Sequence, residues 1–154
     1  MENMDPKYSP LFTPWKIGNV EIKNRIVMCP MGGTSLFGWF ELGGCHFDKE
    51  AAQLFLERAK NNVGLIIPGI APLRDTFWGK WLWQNPKMFE ELKVFMDEIH
   101  KTGAKLFVQL TAGMGRSWAI TELVAPLHKN KITRALIKPV IDTNHELACP
   151  SPQP

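Results

Sequence analysis

Short apolar runs alternate with amphipathic segments along most of this chain. Three runs are almost entirely apolar and are closed by glycine or proline; they cover residues 26–29, 63–67 and 105–110. Runs of this length and composition are typical of strands that are buried on both faces of a parallel sheet. We therefore predict three buried strands.

Two amphipathic helices are predicted between these strands. Asp48 can cap a helix that runs to about residue 62, and Asn85 followed by Pro86 is a strong start for a second helix. Gly103 is suited to end the second helix. The apolar positions that recur at three- and four-residue steps, and that we expect to be buried, are Ala51, Ala52, Phe55, Leu56 and Ala59, then Met88, Phe89, Leu92, Phe95, Met96 and Ile99.

The two ends of the chain have weaker patterns. Residues 15–23 contain a Gly-Asn turn signal between short alternating segments, which predicts a β-hairpin. Residues 117–154 are irregular and end in a proline-rich segment. Within them, residues 135–141 are predicted to form a short strand of a loop hairpin.

The order of elements defines an α/β protein with a parallel sheet, because helices connect successive strands. A doubly wound sheet and a (β/α)₈ barrel both fit this order. Residues 30–33 read Pro-Met-Gly-Gly where a dinucleotide fold would carry its glycine fingerprint, and the long loops follow the strands, so a barrel is favoured. A complete barrel needs about 250 residues. We predict one domain, residues 1–154, forming the N-terminal part of a TIM barrel: the hairpin 15–23, β/α units over 25–116, and an irregular loop region, 117–154.

Composition and charge exclude several classes of protein. The net charge of +3 is small and no basic cluster concentrates it, which argues against a nucleic-acid partner. No apolar run approaches the roughly 20 residues of a membrane span. The odd number of cysteines, without paired-motif spacing, indicates a reduced, cytoplasmic protein and no metal site.

Gln109 is the polar exception at the end of the third apolar run. In parallel α/β proteins the carboxyl ends of the strands line the ligand crevice. A carboxamide there offers both a donor and an acceptor to a planar heterocycle. The alternative is a glutamine that hydrogen-bonds the backbone of a neighbouring loop.

Three motifs, in order, resemble those of a known family. They are Leu-Phe-Thr-Pro-Trp-Lys-Ile-Gly at residues 11–18, Val-Glu-Ile-Lys-Asn-Arg-Ile-Val-Met-Cys-Pro-Met at 20–31, and Gln-Leu-Thr-Ala-Gly-Met-Gly-Arg at 109–116. Together they resemble the old yellow enzyme family of FMN-dependent NAD(P)H:flavin oxidoreductases. Within that family they are similar to the branch of 2-enoate reductases, 2,4-dienoyl-CoA reductase and bile-acid Δ4-reductases, which residues 150–152 also resemble.

The resemblance implies an FMN cofactor, NAD(P)H as reductant, and reduction of the C=C bond of an α,β-unsaturated carbonyl compound such as an enoate, a dienoyl-CoA or a 3-oxo-Δ4 steroid. It places Pro30, Met31 and Gly32 against the flavin ring, Gly69 at a close approach to the ring, and Gln109 on its pyrimidine edge. The alternatives are that Pro30 and Gly69 only end strands and that Met31 fills the core.

The family's remaining functional groups belong to later segments. These are the substrate-anchoring pair, the tyrosine proton donor, the FMN phosphate loops, and the FAD and [4Fe–4S] sites that long members carry. Tyr8, the single tyrosine, precedes the first strand, so we assign no catalytic residue. Trp78, Trp81 and Trp83 could form an apolar wall for a bulky substrate or fold into a satellite core.

Two rival interpretations stay open. In the first, the chain is a catalytically inactive truncated fragment, or a half-barrel that needs an oligomer or the remaining barrel half as a partner, because an open parallel sheet leaves two edges unpaired. In the second, it belongs to another barrel enzyme, such as one acting on phosphosugars.

Overall fold

A three-stranded parallel sheet is the centre of the fold. The computed structural model of the protein describes residues 5–31, 35–38, 45–74, 80–111 and 124–141. The sheet consists of β3 (Val27–Met28), β4 (Leu65–Ile66) and β6 (Lys105–Leu106), in that spatial order. Helices α1 (Lys49–Lys60) and α2 (Pro86–Lys101) make the two crossovers. The predicted order of strand and helix, and the parallel sheet, are confirmed.

An antiparallel hairpin precedes the sheet. A 3-10 helix, Pro6–Phe12, leads into β1 (Trp15–Ile17) and β2 (Val20–Ile22), which pair with each other. Gly18 in the turn has a φ of +55°, a conformation that glycine adopts without steric cost. The hairpin predicted at residues 15–23 is therefore confirmed.

Beyond β4 and β6, the second and third strands pair again, but their register is shifted by one residue. Strand β5 (Ala71–Pro72) pairs in parallel with β7 (Leu110–Thr111). Residues 67–70 connect β4 to β5, whereas the shorter segment 107–109 connects β6 to β7. One strand therefore carries an extra residue, as in a β-bulge, a feature found at barrel rims and beside active sites. The continuous strand predicted over residues 105–110 is wrong at its centre, and β5 was not predicted.

The two helices bury most of the faces that the sequence predicts. Ala52, Phe55 and Ala59 of α1 are buried, and so are Met88, Phe95 and Ile99 of α2. Burying a large apolar side chain contributes about 1.5–3 kcal/mol, so these faces hold the helices on the sheet. Phe89 is 42% exposed, and its predicted burial is wrong.

The helix starts follow from side-chain caps. The Asp48 carboxylate accepts the N–H of Ala51 at 2.9 Å, and the Asn85 side chain accepts the N–H of Met88 at 3.4 Å. Each cap satisfies a backbone donor that has no partner within the helix. Both predicted caps are confirmed. Gly103, with a φ of +77°, follows the end of α2 as predicted.

The amino-terminal end of the sheet is tied to the helix ends. The Nζ of Lys23 donates to the carbonyl oxygens of Ala59, at 3.3 Å, and Thr102, at 2.8 Å. Burial lowers the pKa of Lys23. Asn24 is 4% exposed, and its Nδ2 donates to the carbonyl oxygen of Asn62 at 2.7 Å. These contacts lie at the opposite end from the loops that follow the strands.

Two short helices, α3 (Val124–Lys129) and α4 (Lys131–Ile137), occupy part of the region predicted to be irregular. The strand predicted over residues 135–141 is wrong. The Asn130 side chain accepts the N–H of Ile132 at 2.9 Å, so a capped helix forms instead. None of the helices in the described segments combines the length and apolar character needed to cross a bilayer.

Candidate cofactor site

The carboxyl ends of the three central strands lie side by side. Met28 pairs with Ile66, and Ile66 pairs with Leu106. The ladder continues one residue further, because Ile67 donates its N–H to the carbonyl oxygen of Met28 at 2.9 Å and Phe107 donates to that of Ile66 at 3.0 Å. Neighbouring strands are about 4.8 Å apart, so the three ends fall within about 10 Å across the sheet.

The predicted cofactor positions follow these paired residues at one common spacing. Met31, Gly69 and Gln109 each stand three positions beyond the paired residue of their own strand. Pro30 precedes Met31, and Gly32 lies outside the described residues. The structure thus brings Pro30, Met31, Gly69 and Gln109 to one end of the sheet. Their contact with a cofactor stays a prediction.

Gln109 has a fixed backbone and an exposed side chain. Its carbonyl oxygen accepts the N–H of Ala71 at 2.8 Å, which joins the ends of the second and third strands. Its carboxamide makes no hydrogen bond to any residue that the structure describes. The alternative, a glutamine bonded to loop backbone, is not observed in those ranges. The donor and the acceptor of the carboxamide are therefore accessible to a bound molecule.

Gly69 and Met31 differ in exposure. Gly69 is buried within the segment that carries the extra residue, where backbone without a side chain allows close approach of another group. Met31 is 52% exposed, so the alternative in which it fills the core is wrong. Pro30 is also exposed. Gly69 has no side chain, and Met31 and Pro30 are exposed apolar residues at the same end of the sheet. A flat ring could pack against residues of this kind.

Ser35 belongs to this end of the sheet but was missed by the sequence analysis. It is 7% exposed, and its hydroxyl donates to the carbonyl oxygen of Ile70 at 2.8 Å. The Ser35 hydroxyl oxygen also accepts the N–H of Phe37 at 3.1 Å. Leu36 and Phe37, which follow it, are buried in the core. This apolar pair inside a loop was the signal that the segment packs inward.

The loop that carries the tryptophans lies beside the same strand ends. Leu82 donates its N–H to the carbonyl oxygen of Leu73 at 2.8 Å, directly beyond β5. The Arg74 guanidinium lies 5.4 Å from the centre of the Trp81 ring. Trp83 is 72% exposed, which contradicts a satellite core at that position, and Trp78 lies outside the described residues.

A second polar contact holds the loop after β3 against α2. Asn85 Nδ2 donates to the carbonyl oxygen of Cys45 at 2.6 Å. In the ranges that the structure describes, no three His, Cys, Asp or Glu side chains come close enough together to hold a metal ion.

Parallel strands joined by helices form the first part of a TIM barrel here, and in that fold functional sites lie on the carboxyl face, where this chain has polar and small residues. The family model described as NADH:flavin oxidoreductase / NADH oxidase matches residues 10–135. This chain belongs to that family, and the resemblance to the old yellow enzymes is confirmed.

Three relatives illustrate the match. Over 120 residues, 73% of this chain, it is 38% identical to a cinnamate reductase of Clostridium sporogenes. Over 122 residues, 77% of this chain, it is 30% identical to an NADPH dehydrogenase of Listeria welshimeri. The structure of the old yellow enzyme from Trypanosoma cruzi superposes with a TM-score of 0.52 over 70% of this chain and 28% of that one, at 26% identity. This chain spans 17% of the length of the cinnamate reductase and 35% of the NADPH dehydrogenase.

Proposed function

We propose that this chain supplies the first three flavin-facing strand ends of an FMN-dependent ene-reductase that reduces α,β-unsaturated carbonyl compounds with NAD(P)H. The proposal depends on the backbone and side chain of Gln109. Its backbone is fixed by Ala71, while its carboxamide is exposed and makes no hydrogen bond to the described residues. Family membership supports the class of reaction.

The residues present fit a planar heterocycle. The Gln109 carboxamide offers an NH2 donor group and a carbonyl acceptor to the polar edge of the ring, and Gly69, which has no side chain, is the position proposed to lie beside its plane. Pro30 and Met31 present exposed surface next to that position. When bound, FMN supplies hydride transfer from NAD(P)H to the β-carbon of the alkene, and a proton then adds at the α-carbon. The role of this chain is to hold and orient the ring.

The substrate that we propose is an aryl-substituted enoate. The cinnamate reductase relative supports this class, because cinnamate is an aryl enoate. Trp81 and Trp83 are exposed on the loop beyond β5 and could contribute an apolar wall for an aromatic group. FAD and [4Fe–4S] centres, which the resemblance assigns to later segments, are not needed for the binding role proposed for residues 30–109.

Flavin binding by the purified chain tests this function. We expect FMN added in excess to bind through its ring, because the resemblance assigns the phosphate loops to later segments, and we expect about a tenfold higher Kd for Gln109→Ala, since one or two hydrogen bonds are lost. Gln53→Ala is the matched control, because Gln53 is an exposed glutamine on α1. A Gln109→Ala variant that binds FMN as tightly as the Gln53→Ala variant would overturn the role proposed for Gln109.

A second candidate role is that of a barrel part which functions only with complementary strands. Val27 lies on one outer strand of the sheet, and Val108 and Leu110, at the end of the other, are 44% and 58% exposed. Exposed apolar residues along an open strand edge favour pairing with further strands. The occupant would be the remaining strands of the same barrel, in this polypeptide or in a partner.

Sedimentation of the purified chain tests the second role. We expect concentration-dependent association that Val108→Lys weakens, because a lysine on an edge strand opposes pairing. Val94→Lys is the control, since Val94 is 67% exposed on α2, away from the sheet edge. A monomer that binds one FMN would contradict this role and support the first.

A further inference from the structure

The Ser35 hydroxyl connects the loop after the first strand to the end of the second strand. It donates to the carbonyl oxygen of Ile70 at 2.8 Å and accepts the N–H of Phe37 at 3.1 Å. Ser35 lies in the segment after β3, and Ile70 ends the segment that carries the extra residue. One buried oxygen therefore fixes the distance between the loop after the first strand and the backbone next to Gly69.

A second bond extends this connection to the third strand. Ala71, adjacent to Ile70, donates its N–H to the carbonyl oxygen of Gln109 at 2.8 Å. The path runs from Ser35 through Ile70 and Ala71 to Gln109. It joins the loop after the first strand to the backbone next to Gly69 and to Gln109 on the third strand.

The segment 67–70 needs such a connection. An extra residue interrupts the regular ladder, so its backbone is not held by continuous strand pairing. Truncation of Ser35 would remove both of its hydrogen bonds. The Ile70 carbonyl and the Phe37 N–H would then lose a partner. The Ser35 hydroxyl therefore helps to hold the backbone of residues 67–70 in place.

We propose that Ser35 is a positioning residue that orders the strand ends around Gly69 and Gln109, and thereby sets how tightly they hold the flavin ring. The expected effect of Ser35 on flavin binding rests on the proposed function. Ser35 does not touch the ring in this proposal. It acts through the Ile70 carbonyl and the Ala71–Gln109 bond.

Asn24 provides a matched control at the opposite end of the sheet. It is also buried, its Nδ2 donates to one backbone carbonyl, and its Oδ1 accepts the N–H of Ile26 at 3.0 Å. Asn24→Ala and Ser35→Ala thus each remove one donated and one accepted bond. A purely structural role for Ser35 would make the two variants behave alike.

Amide hydrogen exchange tests the ordering directly. The measured quantity is the exchange rate of the Ala71 amide divided by that of the Ile99 amide, which lies in the buried face of α2. We expect Ser35→Ala to raise this ratio about fivefold, the change that the loss of one net hydrogen bond produces. Asn24→Ala should leave the ratio within about twofold, and Ser35→Thr, which keeps the hydroxyl, should do the same.

Flavin titration tests the consequence. We expect Ser35→Ala to raise the FMN Kd about fivefold and to shift the visible absorption band of the bound flavin, while Asn24→Ala and Ser35→Thr retain the wild-type Kd and band. A raised exchange ratio with an unchanged FMN Kd would overturn the inference, and so would an unchanged ratio. A wild-type chain that binds no FMN would instead count against the proposed function, and the exchange ratio would still decide whether Ser35 orders the strand ends.

Discussion

The backbone N–H of Ala71 donates to the carbonyl oxygen of Gln109 over 2.8 Å, although the strands that lead to these residues are out of step by one position. The bond fixes the main chain of Gln109 without using its side chain. Substitutions of this glutamine can therefore change the chemistry offered to a ligand with little effect on the sheet.

We expect Gly69→Val to weaken FMN binding at least tenfold. The branched side chain would lie where we propose that the ring approaches the Gly69 backbone. Titration with FMN measures the effect, and far-ultraviolet circular dichroism verifies that the variant is folded. A folded variant with wild-type affinity would show that the ring does not approach Gly69.

Lys23→Met should lower the free energy of unfolding by about 1–3 kcal/mol, because it removes two hydrogen bonds at the carboxyl ends of two helices. Urea denaturation measures this change. Lys16→Met, at an exposed hairpin position, should change stability by less than about 0.5 kcal/mol. Equal effects of the two substitutions would contradict the role given to Lys23.

The contribution of Lys23 should also depend on pH. Burial lowers its pKa in the folded state below the ordinary value of 10.5, so the unfolded chain binds more protons between the two values. The stability difference between wild type and Lys23→Met should therefore shift in favour of wild type as the pH rises through that window. Denaturation at several alkaline pH values measures the difference, and a shift of the opposite sign would contradict it.

We expect Asn85 to contribute more to stability than a helix cap alone, because its side chain makes two hydrogen bonds. Asn85→Ala removes both the acceptor for Met88 and the donor to Cys45, at a cost of about 2 kcal/mol. Asn85→Asp keeps the acceptor and should cost about half as much. Thermal denaturation compares the two variants. An aspartate as damaging as alanine would mean that the cap contributes nothing measurable.

Gly64→Ala should destabilise the fold by about 1–3 kcal/mol, because an added Cβ would overlap Oδ1 of Asn24. In the Asn24→Ala background the same substitution should cost less, since the overlapping atom is gone. At Gly18, where nothing lies within 4 Å of an added Cβ, Gly18→Asn should be nearly neutral. Additive costs for Asn24 and Gly64 would argue against the contact.

The helices could be predicted because their signals are local. Asp48 and Asn85 cap residues only three positions away, and the buried faces repeat with the helical period. The strand predicted over residues 135–141 is wrong because the Asn130 side chain caps helix α4, although β-branched residues near Ile137 favour a strand. At Phe89, helical spacing alone could not show where the buried face ends.

The candidate site could be predicted only in part. Gln109 is conspicuous as a polar residue that ends an apolar run, so its place at the sheet end was predictable. The extra residue in segment 67–70 was not, because it appears only when two distant strands are aligned, and Pro72 argued against a strand there. Ser35 was missed because its acceptor, Ile70, is 35 residues away in the sequence.

The position of Lys23 has a consequence for how the chain reaches its native state. Its two acceptors, Ala59 and Thr102, are separated from it by 36 and 79 residues. During synthesis the hairpin is complete long before either helix end exists, so this junction closes after both helices have been made. The hairpin is thus made early, but Lys23 gains its two acceptors only when residues 59 and 102 are in place.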